Sequence, residues 1–372
     1  MKGVNVLIKP ASSACTMACG YCFYRDVGEH RGEAYRGMLS LEKLEEVIAN
    51  ALGCAEEYCA FGYQGGEPTL AGLDFFRNAV ELQRRCNGKG IAVHNAIQTN
   101  GLAIDGEWAR FFRDNDFLVG LSVDGSAELH NRFRPDASGK GTFSRVMRTL
   151  RLFRETGVRC NILSVVTNAS ARHVASTYRF LLKNGITHMQ FIPCLDSLDG
   201  SDEAWLSVEE YGRFLVRIWD LWFADLRAGR YVSIRHIDNW LSILMGQQPE
   251  ACNMAGRCSA QFVVEGDGGV YPCDFYVLDE WRLGDVGTSL EELASGERAR
   301  EFVSASFGVP ERCRACRWYP LCRNGCRRER TERCSDGLAY THFCDAFRYF
   351  FESRSKEMTV ACSLLARARP IE

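Results

Sequence analysis

Apolar residues in the first two-thirds of the chain follow two alternating rhythms. Short dense runs read as strands: VNVLIKP (4–10), CAFGYQ (59–64), AVHNAIQTN (92–100), FLVGLSVD (117–124), RCNILSVVT (159–167) and THMQFIPC (187–194). Between them the apolar positions recur three and four apart, the spacing of a helix with one buried face. These segments are SLEKLEEVIANAL (40–52), LDFFRNAVELQRRC (73–86), GEWARFFRDN (106–115), FSRVMRTLRLFRETG (143–157) and ARHVASTYRFLLKNG (171–185), and several close on Gly or Asn. Six strands alternating with five helices predict an α/β fold, a parallel sheet closed or partly closed into a barrel. In such sheets the active face lies at the C-terminal strand ends, where QGGEP, QTNG, SVDG and SVVTN fall.

The rhythm breaks after residue 200. SVEEYGRFLVRIWDLWFADLRAG (207–229) predicts a long helix leading into VSIRHIDNW. In QFVVEGDGGVYPC (261–273), Asp267-Gly268 separates two apolar runs, a hairpin signal. The remainder of the chain has only short apolar runs and is rich in arginine and cysteine. The expected division is a larger α/β domain over 1–230 and a smaller cysteine-rich domain over 231–372.

Composition narrows the partners. The 372 residues are 46% hydrophobic with a net charge of −2, so no global basic field favours nucleic acid or an anionic membrane. The arginine run CRRERTER (326–333) is interrupted by acidic and neutral residues and reads as a solvated face. No apolar run approaches the roughly 20 residues of a membrane-spanning helix. The run VNVLI is cut short by Lys9 and Pro10, too short for a signal-peptide core, so a cytoplasmic location is expected. Eighteen cysteines are then the anomaly. In a reducing compartment they point to metal ligation or catalysis rather than disulfides.

Cys15, Cys19 and Cys22 stand at C-x3-C-x2-C spacing just after the first strand. A structural zinc site takes four ligands and remains the competing reading. Three cysteines on a [4Fe–4S] cubane would leave one iron open to a small molecule. With Phe23 and Tyr24 following, the stretch resembles the signature of the radical S-adenosylmethionine (SAM) enzymes. That resemblance implies a partial (β/α)6 barrel whose open iron chelates SAM, which on reduction yields a 5′-deoxyadenosyl radical. It further implies that Gly65, Gly66 and Glu67 of GGEP bind the SAM amino group. Ser122 in LSVDG and Arg134 in NRFRP match positions that contact its ribose and carboxylate, and Asn161 in NILSVVT matches a further contact.

A second crowd of cysteines begins at Cys252, Cys258 and Cys273, continues through CRACRWYPLCRNGC (313–326) and ends at Cys344. It resembles the SPASM extension of peptide-modifying radical SAM enzymes, with a zinc ribbon as the competing reading. The resemblance implies two auxiliary [4Fe–4S] clusters, one on Cys252, Cys258, Cys273 and Cys326, the other on Cys313, Cys316, Cys322 and Cys344. Complete ligation by cysteine suits electron transfer. Cys54, Cys59, Cys86, Cys160, Cys194, Cys334 and Cys362 are left over and read mostly as small buried hydrophobes.

Across almost the whole chain, the stretches LIKPASSAC, CFYRD, FGYQGGEPTLAGL, QTNG, FLVGLSVDG, ARHV, QFVVEGDGGVYPCDFYVLDEWRLG and CRWYPLCRNGCRR resemble the anaerobic sulfatase-maturating enzymes. This implies SAM-dependent oxidation of a cysteine or serine, in a C/S-x-P-x-R motif of a sulfatase, to Cα-formylglycine. It also implies a low-potential electron donor such as ferredoxin or flavodoxin, and Asp274, next to Cys273, as general base. Tyr24 and Gln64 are expected on the substrate side. The alternative within the SPASM enzymes is a maturase that forms thioethers or epimerises residues in a small ribosomal peptide. Outside them, it is a non-catalytic zinc or iron–sulfur protein.

Overall fold

The computed structural model describes residues 1–200 and 205–368. Its centre is six parallel strands hydrogen-bonded in chain order: β1 (Gly3–Ile8), β2 (Tyr58–Tyr63), β3 (Ala92–Thr99), β4 (Leu118–Ser122), β5 (Cys160–Val166) and β6 (His188–Pro193). Crossover helices include α1 (Phe23–Glu29), α2 (Leu41–Cys54), α3 (Leu73–Cys86), α4 (Gly106–Asp114), α5 (Ala127–Phe133) and α6 (Phe143–Thr156). They continue with α7 (Asn168–Arg172), α8 (Val174–Lys183) and the long α9 (Val208–Arg227). The predicted helix at 171–185 is therefore two, joined at His173.

Local chemistry fixes the helix ends. Ser40 accepts a hydrogen bond from the Lys43 N–H at the start of α2, Asp105 from Glu107 and Trp108 at α4, and Ser207 from Glu210 at α9. Gly157 stops α6 in a left-handed conformation, φ +76°.

Strand alternation separates two faces. Val4, Val6 and Ile8 in β1, and Cys59, Phe61 and Tyr63 in β2, are 2% exposed or less and pack in the core shared with the helices. Asn95 of β3 belongs to this side, since Gln83 of α3 donates to it at 2.9 Å. The opposite face carries glycines, an alanine and amides in register: Gly62 pairs with Ala96, and Gln98 with Gly120, which pairs in turn with Asn161. An ordinary eight-stranded (β/α) barrel fills its interior with branched side chains. Here Leu7 and Leu163 lean over the two glycines: a Cβ at Gly62 would stand 3.0 Å from Leu7 Cδ1, and one at Gly120 would stand 2.3 Å from Leu163 Cδ1.

The sheet does not stop at β6. β7 (Ser233–Ile234) extends it beyond β6 and leads into α10 (Arg235–Leu244). At the other edge, β8 (Val263–Val264) pairs in parallel with β1, and β9 (Gly269–Tyr271) and β10 (Gly284–Asp285) are added antiparallel. The hairpin expected around Asp267-Gly268 is the β8–β9 turn, with Gly268 at φ +82°. One ten-stranded sheet thus draws strands from both sides of residue 230. The C-terminal helix Cys344–Ala368 packs on α9. Among the described residues no helix is long and apolar enough to cross a membrane.

Candidate active site at the barrel mouth

The cysteine loop runs from the end of β1 to α1, where Cys22 is the N-cap. Backbone bonds tie it down on one side: Ala18 N donates to Pro135 O (2.9 Å), Gly20 N to Phe133 O (3.1 Å) and Ala137 N to Thr16 O (3.1 Å). On the other side the GGEP turn after β2 joins it, Gly66 N to Ser12 O (2.8 Å) and Glu67 N to Ala14 O (2.7 Å). A Cβ at Gly66 would land on the Ala14 carbonyl, and one at Gly65, already at φ +118°, would stand 2.9 Å from Ser12 O. The close approach these glycines permit is to the cysteine loop's own backbone.

Glu67 is 1% exposed. Its Oε1 accepts from Thr69 N (3.1 Å), Thr69 Oγ1 (2.6 Å) and Thr99 Oγ1 (2.7 Å), and its Oε2 from Asn100 N (2.8 Å). Burial pushes the carboxyl pKa up while these donors pull it back. Three of these four bonds fall on Oε1, so the side chain braces the turn through that oxygen, and Oε2, with the Asn100 N–H as its one protein donor here, keeps a lone pair.

Burial pushes the Cys15 thiol to about 11 and the Cys19 thiol to about 12, and raises Cys22 as well; the charges of neighbouring cysteines add to the first two. Such thiols become ligands when a strong positive charge displaces their protons. Among the described residues no group of three His, Cys, Asp or Glu converges on a single-ion site. A cubane, in which each cysteine binds a different iron, needs no such convergence.

Opposite the loop, Arg134 is 7% exposed and forks onto Asp124, Nε to Oδ2 at 2.9 Å and Nη2 to Oδ1 at 3.2 Å. Asp124 also accepts from the Tyr21 hydroxyl and from Val165 N (3.0 Å). The LSVDG motif therefore contributes its aspartate as well as Ser122, which sits half-buried at the end of β4. Asn161, on β5, has a buried Oδ1 without a hydrogen-bond partner. An orphaned buried acceptor costs about 1–3 kcal/mol. A ligand hydroxyl at the barrel interior would satisfy it, so the residues present fit a ribose-bearing cofactor.

Asp274 follows β9 and bridges two donors, Lys9 Nζ and Gln64 Nε2. The Lys9 side chain is 0% exposed, and its ammonium lies 3.6 Å from the centroid of the Tyr24 ring. Beneath Tyr24, Arg31 pairs with Glu265 at 3.4 Å, both side chains fully buried. Phe23 meets Phe275 edge-on at 4.9 Å, so the residues after Cys22 and after Asp274 touch. Tyr24, Gln64 and Asp274 converge, and sequence reasoning missed the cation at their centre. Its one signal was a lysine closing an apolar strand.

The C-terminal thiols fall into two electrostatic groups. Burial raises Cys258, Cys273 and Cys326, and the charge of Cys252 adds to all three. Burial likewise takes Cys313 to about 11 and Cys322 to about 12 and raises Cys344, with Cys316 acting on all three. Cys334, unassigned from the sequence, acts on Cys313 and stands beside the second group. Of the other unassigned cysteines, Cys59 and Cys194 are buried apolar residues; the Cys54 thiol donates to Glu291 at 2.6 Å.

The arginine run is not the solvated face its charge pattern suggested. Arg327 lies 5.0 Å or less over the rings of Tyr276, Trp281 and Phe302. Arg328 donates to Asp196 O (2.6 Å), and Arg330 to the carbonyls of Asn324, Ser306, Gly256 and Gly325. Loops without ladder partners leave carbonyls to satisfy, and guanidinium forks meet them.

Residues 10–181 match the Radical SAM superfamily and residues 252–317 match SPASM, an iron–sulfur cluster-binding domain. The chain is 42% identical to a cysteine-type anaerobic sulfatase-maturating enzyme of Clostridium novyi (strain NT), over 98% of this chain and 99% of that one. It is 31% identical to a serine-type anaerobic sulfatase-maturating enzyme of Bacteroides thetaiotaomicron, over 94% of this chain and 89% of that one. The solved structure of native anSMEcpe with bound AdoMet and Cp18Cys peptide superposes with a TM-score of 0.92 at 42% identity, covering 98% of this chain and 99% of that one.

Proposed function

This chain belongs to the anaerobic sulfatase-maturating enzymes of the radical SAM superfamily, and we propose that it oxidises a cysteine of a sulfatase to Cα-formylglycine. The observation that carries this reading is the convergence of Asp274, Gln64, Tyr24 and Lys9 beside the three-cysteine loop. A [4Fe–4S] cluster and SAM, when bound, would supply a 5′-deoxyadenosyl radical, the chemistry needed to remove one hydrogen atom from the target Cβ. Asp274 would take the thiol proton, held in place by Lys9 and Gln64, while Tyr24, expected to touch substrate but 2% exposed, supports the Lys9 ammonium from beneath. Loss of one further electron, for which the auxiliary clusters would be the acceptor, would leave the side chain a thioaldehyde, and water would convert it to the aldehyde with release of hydrogen sulfide.

The remaining residues divide by task. Cys15, Cys19 and Cys22 would hold the SAM-binding cluster, and Asn161 Oδ1 and Ser122 the ribose. Arg134, oriented by Asp124, would hold the SAM carboxylate. Gly65, Gly66 and Glu67 of the GGEP turn would meet the SAM ammonium, with Glu67 Oε2, which accepts from the Asn100 N–H, as the carboxylate oxygen that has a lone pair left. Cys252, Cys258, Cys273 and Cys326, and Cys313, Cys316, Cys322 and Cys344, would hold two auxiliary clusters. Residues 231–372 would then add electron handling, together with the base Asp274, to the radical-generating part over 1–230. A low-potential donor such as ferredoxin or flavodoxin and a cytoplasmic location complete the reading.

The higher identity to the cysteine-type relative, 42% against 31% for the serine type, supports cysteine as the target. The test is anaerobic incubation of the iron-loaded protein with SAM, a reductant and paired peptides carrying C-x-P-x-R or S-x-P-x-R. One 5′-deoxyadenosine per aldehyde is expected, faster on the cysteine peptide. Deoxyadenosine without aldehyde on either peptide would overturn the sulfatase assignment.

A further inference from the structure

QTNG closes the third strand, and its asparagine takes no part in the oxidation itself. Asn100 is 7% exposed, and its polar groups are engaged one by one. Its N–H donates to Glu67 Oε2 at 2.8 Å and its Oδ1 accepts from Leu102 N at 3.0 Å. Its Nδ2 donates to Thr16 Oγ1 at 3.0 Å and to Cys15 Sγ at 3.8 Å. The Met17 N–H reaches the same sulfur at 3.4 Å. Asn100 is thus clamped between the GGEP turn and the cysteine loop, with its amide aimed at Cys15.

Hydrogen bonds to the cysteine sulfurs of an iron–sulfur cluster are one of the levers that set its potential. Reduction adds negative charge that spreads onto the sulfurs, and a fixed N–H dipole pointed at one of them stabilises that charge. We propose that Asn100 is a positioning residue that sets the potential of the cluster held by Cys15, Cys19 and Cys22, easing its one-electron reduction through the Nδ2 donor to Cys15. The inference rests on the reading of these cysteines as ligands of a SAM-binding [4Fe–4S] cluster.

The test is a redox titration of the full iron-loaded chain monitored by electron paramagnetic resonance. The signal whose shape changes on adding SAM identifies the cluster with the open iron. In Asn100→Ala the midpoint of that signal is expected to fall, with about a tenfold loss in the reduction equilibrium constant, about 59 mV for one electron. Asn100→Asp keeps the acceptor for Leu102 but replaces the donor with an acceptor. It should lower the midpoint further, and it is the variant to read should Asn100→Ala assemble poorly. Thr149→Val is the control: the Thr149 hydroxyl supports the same turn through Gly101 O at 2.8 Å without touching sulfur. Its midpoint should match that of the unaltered protein, whereas a merely structural role for Asn100 would move both. An unshifted SAM-responsive midpoint in the Asn100 variants, or an equal shift in Thr149→Val, overturns the proposal. Absence of any SAM-responsive signal in the unaltered protein sinks the cluster reading instead.

Discussion

Lys9 shows what one side chain demands of its surroundings. A fully buried ammonium is costly unless paired and hydrogen-bonded, and here its partners are the Asp274 carboxylate and the face of Tyr24. Replacing Asp274 with Asn keeps the shape but removes the proton acceptor. A general base contributes roughly 10²–10⁴-fold, so aldehyde formation should fall by about that factor while SAM cleavage persists. Lys9→Met should also lower the ratio of aldehyde to deoxyadenosine, through a displaced Asp274. Both products can be quantified in the same reaction, and an unchanged ratio in Asp274→Asn would remove its role as base. At this scale the sequence was only partly legible. Gln64 and Tyr24 flank the glycine and cysteine motifs, whereas Asp274 stands out only through the family resemblance, since an aspartate after a turn reads by itself as a surface or capping residue. Lys9 stands out in neither way, because a lysine closing an apolar run reads as the polar end of a strand. Its partner is 265 positions away. The arginines at 327, 328 and 330 were misread for the same reason: charge pattern says nothing about which carbonyls lie in reach.

Among the elements, the GGEP turn and the cysteine loop behave as one. They share backbone bonds at Gly66 and Glu67, and a side chain at residue 66 would displace the loop from the turn. Gly66→Ala should therefore cost the N-terminal cluster selectively. Iron per chain is expected to drop by about four, one cubane's worth, with circular dichroism unchanged. A full iron complement would show that the loop tolerates the methyl group. Long periodic elements were readable from the pattern alone: α3 spans Leu73–Cys86, the predicted range, and β1 to β6 were each found within two residues at either end. The short α5 was not. AELHNRF has few apolar residues, and the segment is held by polar contacts such as His130 to Thr142 Oγ1 (3.0 Å) and Arg134 to Asp124. The C-terminal helix begins at Cys344, a proposed ligand, and the cysteine spacing masked its helical rhythm.

Over the whole molecule, an α/β part and a cysteine-rich part could be told apart in the sequence, but nothing there hinted that both feed one sheet. The pairing of β8 with β1 involves two residues on each strand, too few to register as a pattern. It nevertheless places Leu7 N on Phe262 O (3.1 Å) and Lys9 N on Val264 O (2.8 Å). A fragment ending at residue 230 would leave this side of β1 with unsatisfied amides, and unpaired strand edges recruit other chains. The fragment should elute from a sizing column as aggregate, and a monodisperse monomer would show that β1 needs no cover. Shortening the protein to a minimal radical generator would thus remove more than its electron path. The cysteine-rich region also acts as the sheet's selvedge, the woven border that keeps the first strand from binding its own copies.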